Sequence, residues 1–261
     1  MFADERYAYI LKALRETGSV LCAELANKFD VSGETIRRDL AFLEGQRLLK
    51  RVYGGAVKIS QSQGFDELDK RTEINIDKKK SLSRTAAKFV NEDDVIAIDS
   101  GSTANEFAKV LARDFERLTV VTYSLDIFEL LREKEGFELI IAGGKYIRGE
   151  RVFNGVNTSE SLLCRHVSKS FVVPSSVSLD FGVTITLPEF YTLEKTLFEI
   201  CDSKVILADS TKFDSASKLR LCSIDDINLL VTDDELPEDI YKNYLNAGVN
   251  IVKANKQEEK V

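Results

Sequence analysis

From Val95 onward the chain repeats one local pattern: a short apolar run, a cluster of Gly, Ser, Thr or Asp, then a helical stretch. Candidate strands lie at 95–99, 118–122, 137–142, 170–173, 205–209, 229–232 and 249–252, with helices expected at 104–113, 125–134 and 193–200. Strands that are apolar throughout must be buried on both faces. A mostly parallel sheet with helices on either side provides that. Such a sheet binds ligands beyond the carboxyl ends of its strands. The pattern therefore brings four loops to one edge.

Those loops share a chemistry. The first strand ends in Asp99-Ser100-Gly101-Ser102-Thr103 and turns directly into a helix. Glycine permits the tight turn, the hydroxyls and the helix N–H groups face an anion, and neither a P-loop nor a GxGxxG fingerprint is present. The second strand ends in Thr122-Tyr123-Ser124, the third in Gly143-Gly144-Lys145 with Arg148 near, and another in Asp209-Ser210-Thr211-Lys212-Phe213. Any one of these loops by itself reads better as a turn and helix cap. Four on one edge favour a small anionic, hydroxylated ligand such as a sugar phosphate. The candidate effector residues are Asp99, Ser100, Gly101, Ser102, Thr103, Thr122, Ser124, Gly143, Gly144, Lys145 and Lys212.

The amino-terminal part is built differently. Tyr7, Ile10, Leu11 and Leu14 recur at helical spacing over 5–16, with Asp4 as a cap and Gly18 as a stop. A second short helix carries Cys22, Leu25, Ala26 and Phe29 on one face. A turn with Ser32 as N-cap opens a third helix over 33–46, whose buried stripe is Ile36, Leu40 and Leu43. Two short strands around Gly54-Gly55, at 48–52 and 56–59, read as a basic β-hairpin. Three helices with a tight turn before the third form a helix-turn-helix, and a hairpin after it is a wing. The third helix offers hydroxyls at its start and Arg37 and Arg38 one turn on, suited to phosphates and guanine edges. Candidate DNA contacts are Ser32, Thr35, Arg37 and Arg38 on the helix and Lys50, Arg51, Tyr53 and Gly54 on the wing. Two adjacent arginines alone would fit an ordinary three-helix bundle; the order of elements and the wing together favour a DNA reader.

Charge is divided unevenly. The net charge is −7, which argues against a uniformly basic nucleic-acid binder, yet residues 1–57 hold nine Lys/Arg against eight Asp/Glu. The expected organisation is a winged helix over 1–57, a surface linker over 58–72 and an α/β sensing domain over 73–261. Lys78-Lys79-Lys80, leading into a helix with Leu82, Ala86 and Phe89, reads as a solvated face.

Several classes are disfavoured. No run of 18 apolar residues suits a transmembrane helix, and the early charges at Asp4, Glu5 and Arg6 do not suit a signal peptide. Cys22, Cys164, Cys201 and Cys222 are far apart with no CxxC, so a reducing cytoplasm is expected, with the last three as core or near-core thiols. His166 is the sole histidine and reads as structural, and no cofactor or metal is expected. Asp99 and Asp209 could serve as general bases, but no acid–base partner is evident, so a regulator is favoured over catalysis. The alternative is an enzyme acting on sugar phosphates with an accessory DNA-binding domain.

The stretch Val31-Ser32-Gly33-Glu34-Thr35-Ile36-Arg37-Arg38-Asp39-Leu40, with Leu43-Glu44 and Arg51-Val52-Tyr53-Gly54-Gly55-Ala56, closely resembles the winged helix of DeoR-type bacterial repressors of sugar metabolism. Asp99-Ser100-Gly101-Ser102-Thr103, Gly143-Gly144, Gly155 and Ala208-Asp209-Ser210-Thr211-Lys212-Phe213 resemble the sensor domain of that family. The resemblance implies a fold similar to ribose-5-phosphate isomerase, double-stranded operator DNA and a phosphorylated sugar as partners, and a homo-oligomer (dimer or tetramer) that does not act at a membrane. Three departures stand out. Cys22 follows Leu21 where the family often has a hydroxyl cap, Tyr123 replaces the usual asparagine, and Val173-Pro174-Ser175-Ser176-Val177-Ser178 replaces a glycine-containing loop, with Ser176 at its second glycine and Ser178 at an aspartate. Because proline fixes φ and non-glycine residues resist positive φ, a different loop backbone and an altered sugar-facing side of the site are expected.

Overall fold

The computed structural model describes residues 3–17, 19–45, 49–52, 54–58 and 68–255. It divides into two compact units, Met1–Phe65 and Asp66–Val261. Residues 46–48, 53 and 59–67 lie outside the described residues, and with them Tyr53, the end of the third predicted helix, the outer ends of both wing strands and most of the predicted linker.

The first unit contains α1 (Ala3–Thr17), β1 (Ser19–Leu21), α2 (Cys22–Phe29), α3 (Gly33–Gly45), β2 (Leu49–Val52) and β3 (Gly55–Lys58). The predicted stripes meet in one core of Ile10, Leu14, Leu25, Phe29, Ile36, Leu40 and Leu43, closed by Val20, Leu49 and Ala56 of the sheet. The wing has a third strand that sequence periodicity missed. Strand β1 pairs antiparallel with β3, giving the order β1-β3-β2. Three residues are too few to show an alternation. The two glycines of the turn have separate jobs: Gly54 takes φ +83°, and a Cβ on Gly55 would stand 2.0 Å from the Val20 carbonyl oxygen. The absent hydroxyl cap on α2 is compensated. Leu21 is the N-cap residue, and the Cys22 amide donates to the Gly54 carbonyl at 2.8 Å.

The second unit contains α4 (Leu68–Glu73), α5 (Ile76–Ala87), β4 (Val95–Ile98), α6 (Ser102–Asp114), β5 (Leu118–Thr122), α7 (Leu125–Leu131), β6 (Phe137–Ile141), β7 (Lys145–Ile147), β8 (Val152–Asn154), α8 (Val156–Leu163), β9 (Val167–Val172), β10 (Ser176–Ser178), β11 (Gly182–Ile185), α9 (Tyr191–Glu199), β12 (Cys201–Leu207), β13 (Leu219–Cys222), β14 (Leu229–Thr232), α10 (Glu238–Asn246) and β15 (Ile251–Lys253). Seven strands form one parallel sheet in the order β15-β14-β12-β9-β4-β5-β6. Successive strand residues feed opposite cores: Ile96 and Ile98 pack with Leu82, Phe107 and Ile127, while Ala97 packs with Leu193, Leu197 and Tyr244. Both faces are thus covered, as the continuous apolar runs require.

Three expectations need correction. Helix α4 lies inside the stretch read as linker and buries Leu68; six residues are too few to display a helical period. Lys79 is buried and Lys78 half-buried, so only Lys80 of the triplet is exposed. Cys164 is exposed rather than near the core. His166 is a surface residue 3.2 Å from Asp202.

Candidate functional site

On the first unit, the turn before α3 closes through Asp30 in a left-handed conformation at φ 52°. Ser32 then caps α3, its Oγ accepting from the Thr35 amide at 3.2 Å. Burial of Ile36, Leu40 and Leu43 fixes which side of α3 faces water. Arg37 and Arg38 stand on that outer side, their side chains 65% and 82% exposed. Glu34 lies between them, 3.0 Å from Arg37 Nη1 and 3.8 Å from Arg38 Nε. On the inner side Asp39 takes a two-pronged contact from Arg6 of α1, Nε at 2.6 Å and Nη2 at 3.0 Å. That pair ties α3 to α1. The wing is tied in as well. Arg51 gives its backbone amide and Nε to Glu44 of α3 at 2.9 and 2.8 Å. Arg51 is therefore committed to positioning the wing, Gly54 is exposed at its tip, and Lys50 lies on β2.

On the second unit, the strand order reverses between β4 and β9, and ligands in doubly wound sheets sit in the crevice at that switch point. The loops after β4, β5, β6, β9, β12 and β14 all leave the same edge, because every pair in the sheet is parallel. At the switch point α6 begins. Its N-cap is Gly101 at φ +106°, no side chain caps it, and no acidic residue lies in its first turn. A 13-residue helix therefore presents its first N–H groups and its positive end to this crevice. Ser102 and Thr103 sit at the same turn.

Cations gather there. A Cβ on Gly101 would be 3.5 Å from Nη1 of Arg71, so the α4 guanidinium lies over the helix start. Arg71 also pairs with Glu150, whose carboxyl is pushed up by burial. Lys79 Nζ donates to the Ile74 carbonyl at 2.6 Å and to the Arg71 carbonyl. Burial lowers Lys79 to about 8; Asp209 opposes this, while Lys212 and Arg71 add to it. Lys78 reaches Ser210 Oγ at 2.7 Å and Glu235 at 2.7 Å. Asp209 caps its own loop through the Thr211 amide at 3.0 Å, and Asp233 holds the Ser210 amide at 2.5 Å. The arrangement sets Arg71 over one helix start with Lys79 beside it, each also close to a carboxylate, which suits an anion that competes for them.

The other predicted residues divide. Asp99 is buried and accepts from the Tyr123 hydroxyl and from the Val173 amide at 2.9 Å, so it forms the floor of the crevice and is not an open acceptor. Burial holds its carboxyl above the usual range. Tyr123, which stands in place of asparagine, is what fills that floor. Glu194 of α9 is buried alongside with Oε2 unpartnered, and burial reinforced by Asp99 keeps it protonated well above the usual range. Thr122 donates to the Ile98 carbonyl at 2.9 Å and Ser124 caps α7, so both are turn residues. Gly143 receives the Thr158 hydroxyl at 3.0 Å, Gly144 packs against that side chain, and Lys145 is exposed on β7. Residues 176–178 form a strand paired with β11, with no positive φ between 173 and 181.

Sequence reasoning missed Arg71, Lys79 and Glu194. Lys79 carried a signal: it precedes Leu82 by three and Ala86 by seven, which puts it on the buried stripe. Arg71 had none, because the surrounding apolar content is low.

Comparison with known proteins agrees with both halves. The DeoR-like helix-turn-helix domain matches residues 6–62, and the DeoR C terminal sensor domain matches residues 74–234. An uncharacterised HTH-type transcriptional regulator of Bacillus subtilis, YulB, is 33% identical over 90% of this chain and 91% of its own. The HTH-type transcriptional repressor GlcR of the same organism is 28% identical over the full length of both chains. The lactose phosphotransferase system repressor of Lactococcus lactis is 28% identical over 90% of this chain and 93% of its own. Among solved structures, ribose 5 phosphate isomerase A from Neisseria gonorrhoeae is similar over 54% of this chain and 54% of that chain, at 20% identity and a TM-score of 0.37.

Proposed function

We propose a function from one premise: the chain belongs to the DeoR family of transcriptional regulators. It is a repressor of sugar-metabolism genes that binds operator DNA through α3 and the wing and releases or grips it according to a phosphorylated sugar held by the second unit. On this reading Thr35, Arg37 and Arg38 supply sequence discrimination, and Ser32, Lys50, Tyr53 and Gly54 supply backbone register. A dimer or tetramer spaces two readers about 34–36 Å apart, or a multiple of that. The effector phosphate sits on the first turn of α6 at Gly101, Ser102 and Thr103, with Arg71, Lys79 and Lys212 around it. The sugar changes DNA affinity only to the extent that it binds one quaternary arrangement better than the other.

The observation that carries this reading is the uncapped start of α6 at Gly101, with the Arg71 guanidinium over it and the buried Lys79 beside Arg71. Such a cluster is stabilised by an anion. A thermal-shift panel of pentose and hexose phosphates, followed by operator-binding assays with each hit, tests it. Stabilisation by a phosphosugar with an accompanying change in DNA affinity is expected, and no response to any phosphosugar would refute it. Catalysis is disfavoured because Asp99 is engaged by Tyr123 and Glu194 is held neutral, which leaves neither as a ready base. The alternative, an enzyme on sugar phosphates, predicts turnover of a phosphosugar by the purified chain.

A further inference from the structure

A second cavity, of about 410 Å³, lies between α4, α6 and α7. It does not depend on the phosphosugar reading: none of the residues proposed to hold the phosphate lines it. Its lining carries four carboxylates against two cations. Both cations are committed: Lys109 Nζ is 2.6 Å from Glu106, and Arg151 Nε is 2.6 Å from Asp126 Oδ1. Asp69 and Glu73, one helical turn apart on α4, have no ion-pair partner among the described residues.

Asn105 adds an independent observation. It lines the cavity and is 8% exposed, and its Oδ1 has no hydrogen-bond partner. Its amide nitrogen donates to Asp126 Oδ2 at 3.2 Å, so the carboxylate fixes which end of the amide is the unsatisfied one. Asp126 Oδ1 is near Arg151 but off the hydrogen-bond direction, and it too is left without a hydrogen bond. Buried acceptors in this state are costly unless a donor reaches them.

We propose that this cavity binds a small organic cation, an ammonium group on a short carbon frame. Among the described residues no three acidic, histidine or cysteine side chains converge as a metal ion would need. The negative charge is instead spread around the wall, so the ligand must carry donors and charge on an extended frame. The cavity has ample room for such a molecule and its water. A neutral polyol would supply donors but gain nothing from the charge of Asp69 and Glu73, which are exposed at the rim.

The test uses the full-length chain and isothermal titration calorimetry with 1,4-diaminobutane, its neutral isostere 1,4-butanediol, and Mg²⁺. Diaminobutane should bind and butanediol should not. The paired change Asp69→Asn, Glu73→Gln, on an exposed helix face, should weaken diaminobutane by about tenfold or more. Asn105→Ala, checked for native circular dichroism, should weaken it as well. Equal binding of the diol, absence of diaminobutane binding at millimolar concentration, or full affinity in the Asp69/Glu73 variant would overturn the proposal. Saturable Mg²⁺ binding that displaces diaminobutane would also overturn it, since it would make the acids a metal site.

Discussion

Replacing Asp39 by alanine removes the carboxylate that takes both prongs of Arg6, whose side chain is 11% exposed, and so breaks a two-pronged ion pair between α1 and α3. Breaking an ion pair deep in a protein costs about 3–5 kcal/mol. This pair lies in a thin unit with few atoms behind it, and water screens part of the charge, so a cost of about 2–3 kcal/mol is expected. A unit of this size has a total stability of roughly 3–9 kcal/mol. The substitution therefore removes about a fifth of it or more and lowers the melting temperature by roughly 10–20 °C. Differential scanning calorimetry of the full chain should show one transition moving down while that of the larger unit stays, and operator binding should weaken in parallel as the temperature rises. The double change Arg6→Met, Asp39→Leu should recover most of the loss, because apolar side chains of similar volume replace a buried pair at little cost. An unchanged melt for Asp39→Ala would refute the role given to this pair, and so would a double variant no better than the single.

Four further outcomes follow from the two sites. Arg38→Ala should abolish operator binding with the melt unchanged, since the side chain is 82% exposed and its ion-pair partner among the described residues is Glu34; unchanged binding in a gel-shift assay would remove α3 from the groove. Glu34→Gln should tighten binding to non-specific DNA and steepen the slope of log K against log salt by about one, because it frees one positive charge for a phosphate; an unaltered slope would count against it. Lys79 ordinarily titrates near 10.5 and is lowered to about 8, so between those values the unfolded chain holds a proton the folded one lacks, and stability rises with pH across that window. A bound phosphate favours the charged lysine, so phosphate affinity should fall as pH climbs through about 8, with proton uptake on binding measured by calorimetry in two buffers. Ser102→Ala or Lys212→Met should blunt the response to phosphosugar while effector-free DNA binding stays as it was; a normal response in both would move the anion elsewhere.

The architecture was legible where a pattern had room to repeat. The helices over α1 to α3 and the seven strands of the parallel sheet each carry enough apolar residues at one period to be recognised. Most of the pieces that escaped are short: β1, α4, the β7–β8 hairpin and the small sheet of β10, β11 and β13 are each three to six residues long, while α8 and α10, of eight and nine residues, also went unread. At the candidate site, residue chemistry located the right edge but not the state of each group. Nothing local separates Ser102, at an uncapped helix start, from Ser124, which is consumed in capping α7. Asp99 could not be seen as occupied because its partner, Tyr123, comes from the neighbouring strand. Lys79 was hidden by its own charge, which made a buried position look like a wetted one.

The carbonyl of Gly54 at the wing tip serves as the acceptor for the first amide of α2, and Gly55 is small so that β1 can pass against it. The hairpin and the helical pair therefore share a hinge-free seam. If the wing holds a phosphate as proposed, a pull on it reaches the start of α2 through that hydrogen bond, and α3 through the shared core. Groove and backbone contacts must then form and break together, so this reading head should leave DNA in a single step instead of peeling away contact by contact.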